Sequence, residues 1–259
     1  MIAPRAQIAT ALLLAVAAGT VDSVSFLVLH KTFTANMTGN TTELGIAAGR
    51  ADPHDLVPLA AAVATFILSI AAATAGIELA TRRGLRSTAA PALLGEAALL
   101  AVFMLAGRHV LRGNSAPDHT IAGFYLLLTV AIVAMGTQTA ALTKALGKTI
   151  RTTYVSGLIT TFTQELVNLF VPPKGDTASY LRDELGLGTR RESLARVALH
   201  VAVWGGFIGG AVWGGYGEAR WSTWVLALPL ALLSIAAAID LRQPVHSVDD
   251  QAETKVCVE

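Results

Sequence analysis

Six apolar blocks run through this chain, at about 7–29, 56–80, 91–107, 120–143, 195–217 and 222–241. At 1.5 Å of rise per helical residue, blocks of this length match the ~30 Å hydrocarbon core of a bilayer. Backbone polar groups in lipid must be satisfied within the protein, so the blocks predict an all-α polytopic membrane helix bundle with six spans. The composition agrees: 53% of residues are hydrophobic and 14% charged, against roughly 25% charged in a soluble domain. The third block is the shortest and the sixth contains Pro229. Arg5 followed by an apolar core and Ala15-Val16-Ala17-Ala18 looks like a cleavable signal peptide. The apolar stretch runs on past Gly19 to Leu29, however, which is long enough to span.

The polar punctuation sets the expected orientation. With the N-terminus inside, fourteen of the nineteen Lys and Arg fall on the cytoplasmic side, including Arg82, Arg83, Arg86 and the run from Lys144 to Arg196. Only Lys31, Arg50, Arg108, Arg112 and Arg220 fall outside. Positive charge stays with the cytoplasmic loops. Both termini are therefore expected in the cytoplasm, with the protein in the cell (plasma) membrane. The predicted organisation is one transmembrane domain over 1–241, with halves 7–107 and 120–241. A polar linker at 172–194 and a disordered cytoplasmic tail at 242–259 complete it.

Two further segments, 35–49 and 152–171, are helix-compatible but rich in Thr, Ser, Asn and Gly. As full spans they would raise the count to eight and weaken the charge bias, so they are read as broken or re-entrant polar helices inside the bundle. The halves resemble each other. Leu12–Ala17 is echoed by Leu126–Ala131, Gly19-Thr20 by Gly136-Thr137, and Thr38-Gly39 by Ser156-Gly157. Three spans per half make this a 3+3 inverted repeat, an architecture of many secondary transporters, whose sites lie at the repeat interface. On that reading the clusters 36–40 and 152–157 are expected to approach each other.

Asp22 lies inside the first apolar block, not at its edge. A carboxylate at bilayer depth costs at least ~3 kcal/mol, so it is kept for a partner or a function. It either handles a proton, a cation or a polar solute group, or it serves as a structural cap. Asn36, Thr38, Gly39 and Asn40 add amides, a hydroxyl and a flexible glycine, and the same residues also suit a helix start with Glu43 closing a capping box. In the second half, Arg151, Thr152, Thr153, Ser156 and Gly157 precede an apolar helix, where hydroxyls and a guanidinium can hold an anion. Thr137 and Gln138 lie in the fourth span, and a Gln there is expected to face other helices. These twelve residues form the candidate solute- or ion-binding set. The paired glycines of Trp204–Gly215 form a close-packing face.

Other classes find little support. A net charge of +1 offers no basic surface for nucleic acid, and the single Cys257 provides neither a disulfide framework nor a thiolate metal site. Phosphate-loop, zinc-protease and nucleophile-elbow motifs are missing, so neither an enzyme nor a cofactor is expected. The reading is a small-solute transporter or permease, secondary-active in kind. Its partners are the lipid bilayer and an unidentified small-molecule solute, with a homo-oligomer left open. The rival is a membrane-embedded sensor, binding or assembly protein.

Gly19-Thr20-Val21-Asp22-Ser23-Val24-Ser25-Phe26, Phe33 and Asn36-Met37-Thr38-Gly39-Asn40 resemble the YoaK-like family of bacterial integral membrane proteins of unknown function. Met135–Ala140 and Arg151–Gly157 look like the family's second, looser signature. The resemblance covers roughly 7–241. Ser23 stands where members often carry Ala, and Thr139 where Asn is common. The resemblance implies a six-span membrane protein and no particular substrate.

Overall fold

The computed structural model describes residues 5–85, 87–110, 122–145, 155–171 and 190–242. Eight α-helices occur among them: α1 (Arg5–Val28), α2 (Met37–Gly49), α3 (Pro53–Arg82), α4 (Ala89–Val110), α5 (Ala122–Ala145), α6 (Val155–Phe170), α7 (Arg190–Trp221) and α8 (Ala227–Arg242). A 3₁₀ turn, Ser222–Leu226, joins α7 to α8, and no strand occurs among the described residues. Most of the expected linker and all of the tail beyond Arg242 lie outside the described residues. Of the segment expected as linker, 190–194 form the start of α7.

Five helical stretches are long and apolar enough to cross a membrane: Ala6–Val28, Pro53–Arg82, Ala89–Val110, Ala122–Leu142 and Ser193–Arg242. The last is 50 residues long, about 75 Å if it were straight, more than twice a hydrocarbon core. It is not straight. Ser222 takes a positive φ of 52° and the chain turns there. Pro229 then falls in the first turn of α8, where its missing N–H breaks no helical hydrogen bond.

Side-chain contacts fix the helix directions. Gly206 faces Leu12, Ala15 and Val16, and Gly214 faces Thr20 and Ser23, so α1 and α7 run parallel. Gln138 bonds Leu14 while the rings of Phe124 and His30 meet, so α5 is antiparallel to α1. Gly136 lies on Ser69, and Ile77 clusters with Ala140 and Ala141, so α3 and α5 run parallel. Ala92, near the start of α4, packs on that same end of α5. Asp240 bonds the start of α4 and Thr223 its far portion, so α8 is antiparallel to α4. Taken in sequence, these directions make α8 antiparallel to α7.

α1 is the central helix, packed against α5, α7 and α8. Leu14 of α1 belongs to one buried apolar cluster with Phe103, Phe124, Leu128, Ile132 and Leu233, whereas Ile67, Leu68, Leu105 and Val212 face outward. The glycine face of α7 does what its sequence suggested. A Cβ on Gly19 would collide with the Phe207 carbonyl, and one on Gly210 with the Val16 carbonyl, so the two backbones touch.

Candidate functional site

Asp22 is buried near the C-terminal end of α1, six residues or ~9 Å of helix before Val28. Beyond α1 the chain turns sharply, with positive φ at His30 and Lys31, and comes back to the level of Asp22. There the Thr34 and Ala35 N–H groups each donate to Asp22 Oδ1 at 2.8 Å, and Thr34 Oγ1 donates to the same oxygen at 3.3 Å. The carboxylate thus satisfies two buried backbone donors that have no secondary structure to join.

The neighbouring candidates close the same loop. Asn40 Oδ1 accepts from the Phe33 N–H at 3.0 Å, and its Nδ2 donates to the Phe33 carbonyl at 2.7 Å, a two-way clasp. Phe33 stacks on Phe26 of α1, with ring centroids 4.5 Å apart, and lies against Gly39. Asn36 caps α2, its Oδ1 accepting from the Gly39 N–H. Thr38 is exposed, its carbonyl taking a bond from Thr42. The structure therefore brings Asp22, Asn36, Gly39 and Asn40 together around residues 33–36.

The other candidates lie apart. Gln138 is fully buried between helices, with Nε2 donating to the Leu14 carbonyl at 2.9 Å and Oε1 meeting no partner among the described residues. Thr137 bonds back to the Val133 carbonyl in its own helix. Ser156 is exposed and Gly157 half-buried in the first turn of α6, while Arg151, Thr152 and Thr153 lie outside the described residues. The expected approach of the two polar clusters is not what the described residues form. Leu158, beside Gly157, clusters with Ala11 and Ala15 of α1 and Val203 of α7, seven to eleven residues and some 10–16 Å of helix from Asp22. α2 packs on α3, α6 packs on α7, and α2 and α6 do not touch. The described parts of the two clusters lie at different levels along α1, and each short helix packs beside a different long one.

Three further polar features escaped the sequence reading. Glu165 of α6 is bridged to Arg196 of α7 at 2.8 Å, with both side chains largely buried. His200 stands beside them, its Nδ1 2.9 Å from the Arg196 carbonyl and 3.5 Å from Glu165 Oε2. Asp240 Oδ2 accepts from Ser87 Oγ and from the Ala90 N–H, capping α4 from another helix. Glu96, midway through an apolar block, is wholly buried, and neither carboxyl oxygen has a partner among the described residues. The signal for Glu96 was the one that exposed Asp22, a carboxylate inside an apolar run. Glu165 and Arg196 had no such signal, since the pair is 31 residues apart in sequence.

A cleft of about 240 Å³ opens where the end of α1 meets α2 and α3, lined by His30, Lys31, Glu43, Arg50, Asp52 and Asp55 among others. Both signs of charge line it. Among the described residues no group of three or more His, Cys, Asp or Glu could hold a metal ion.

Long apolar helices with buried carboxylates between them define a multi-pass membrane protein whose outer faces contact the lipid bilayer. Residues 10–239 match the family described as "Protein of unknown function (DUF1275)", and the chain belongs to that family. It is 29% identical over 172 residues to the UPF0700 transmembrane protein YoaK of Bacillus subtilis (strain 168), across 66% of this chain and 72% of that one. The match agrees with the YoaK-like resemblance of the two motifs. No solved structure matches.

Proposed function

We propose that the protein is a small-solute transporter or permease of the secondary-active kind, with six spans, a 3+3 inverted repeat and both termini on the cytoplasmic side of the plasma membrane. The observation that carries the reading is the correspondence of helix interfaces when the halves are exchanged. Replacing α1 by α5, α2 by α6, α3 by α7 and α4 by α8, and the reverse, turns the α1–α7 interface into α5–α3. It likewise turns α4–α5 into α8–α1 and α2–α3 into α6–α7, and all six are major interfaces of the bundle. The glycines follow the same exchange: Gly19 touches α7, and Gly136 touches α3. Inverted repeats with short helices set between long ones are the architecture of alternating access. In this reading the solute passes unaltered and no catalytic group is needed.

A second reading, a membrane-embedded sensor or assembly protein, draws support from the loop at 33–36. There Asp22, Asn36 and Asn40 spend hydrogen bonds on the protein itself. Transport separates the two. Purified protein in proteoliposomes, screened against labelled amino acids, sugars and organic anions with an imposed pH gradient, is expected to accumulate at least one class. Equal uptake by protein-free vesicles throughout would reject the transport reading. Reporter fusions test the topology separately: fusions after Arg86 and Leu194 are expected inside and one after Asn114 outside. An inside signal at Asn114 would reject six spans.

A further inference from the structure

Glu96 has the most unusual surroundings of any ionisable group described. It lies on the buried face of α4 with Leu93, Leu100 and Phe103, and none of its atoms reaches solvent. Its oxygens meet no donor among the described residues. Its depth follows from two cross-links of α4, one to α8 and one to the 3₁₀ turn that leads into it. Ala90 is held to Asp240 and Met104 to Thr223, which puts Glu96 six residues, ~9 Å, from one and eight residues, ~12 Å, from the other. It therefore sits near the middle of the α4–α8 crossing, the interface that maps onto itself when the halves are exchanged.

Among the described residues no opposite charge faces it: Arg108 and His109 are exposed at the far end of α4, and Arg242 is exposed at the end of α8. α8 contributes Asp240, itself a carboxylate and already committed to the start of α4. Over 122–142, α5 contributes no charged residue, and its Tyr125 lies at the other end of the helix against Phe124. α3 barely touches α4, and its Glu78 and Arg82 pair with each other at the surface. The 3₁₀ turn has no ionisable residue. An ionised carboxylate with neither partner nor water is strongly disfavoured in such a place. A metal cation would need several more oxygen ligands, and among the described residues no group of three or more His, Cys, Asp or Glu is there to help supply them. A proton needs only the carboxyl itself.

We propose that Glu96 is a proton-binding site of the membrane domain, occluded with its proton in this conformation and opened to water when α4 and α8 separate. That the proton is coupled to a solute rests on the transporter reading; that the site binds and releases one does not.

Two measurements on the full-length protein in native-like vesicles test it. Infrared difference spectra of wild type against Glu96→Gln are expected to contain a protonated-carboxyl C=O band that the variant lacks and that fades as the pH is raised. The apolar reagent N,N′-dicyclohexylcarbodiimide, which attacks protonated carboxyls from the lipid phase, is expected to modify the Glu96 peptide. That labelling should fall with rising pH and persist in Glu96→Asp, while Asp22 stays unmodified. A carboxyl band that does not respond to pH would overturn the proposal, since Glu96 would then be a locked structural acid. The absence of any Glu96-dependent band would overturn it equally. A pH-responsive Glu96 in a protein that moves no solute leaves the site standing and removes the transport reading.

Discussion

Asp22 and Glu96 are both carboxylates buried among apolar helices, yet their surroundings are opposite. Asp22 collects three hydrogen bonds on one oxygen, two of them from backbone N–H groups that would otherwise be orphaned. Glu96 collects none from the described residues. The first carboxylate is needed by its neighbours; the second is only tolerated by them. Burial by itself therefore does not assign a role. The partner list does, because removing a satisfied acceptor strands its donors while removing an unsatisfied one relieves the fold.

The largest expected effect lies at another buried carboxylate, Glu165, which tests the partnered extreme. Arg196→Met would leave Glu165 and its remaining oxygen without their cation in a largely buried seam. Breaking such a pair is expected to cost about 3–5 kcal/mol, read as a lowered thermal midpoint in detergent and reduced yield. The double variant Glu165→Gln with Arg196→Met is expected to recover part of that loss. Next comes Asp22→Ala, which strands the Thr34 and Ala35 N–H groups and is expected to cost about 2–4 kcal/mol. Protease cleavage should then appear within 29–36, where the chain loses its anchor.

Glu96→Met is expected to shift stability in the opposite direction, raising it by about 1–3 kcal/mol by deleting an unpartnered buried polar group. The same substitution should abolish any pH-driven uptake, a stability gain bought with function. A lowered thermal midpoint would mean that Glu96 has a partner after all and would erase the contrast. The smallest effect is expected from Asp22→Asn. All three bonds fall on Oδ1, and an amide oxygen can take that place, so only the charge assistance is lost, about 1 kcal/mol. Wild-type uptake in this variant would assign Asp22 to loop closure alone, and lost uptake at normal expression would give it a role in transport.

Much of this was legible in the chain. The apolar blocks became helices within a few residues of their expected ends, because span length depends on local hydropathy and not on partners. The glycine face of α7 was readable for the same reason, since only small residues at helical spacing let two backbones touch. Asp22 was legible as buried, and Gln138 as facing other helices, from the cost of exposing either to lipid.

What Asp22 holds was not legible. Nothing in Thr34-Ala35 marks their N–H groups as donors to a helix twelve residues earlier; that depends on the chain reversing at His30 and Lys31. The bridge between Glu165 and Arg196, and the capping of α4 by Asp240 from 150 residues away, likewise arise only when helices distant in sequence come into register. The isolation of Glu96 is the clearest case. Sequence placed a carboxylate in an apolar run, but whether a donor from α5 or α8 would meet it was decided by how those helices rotate against α4. Hydropathy is a property of a segment and is written along it. Hydrogen-bond partnership is a property of two surfaces, and it exists only once packing has chosen which surfaces meet.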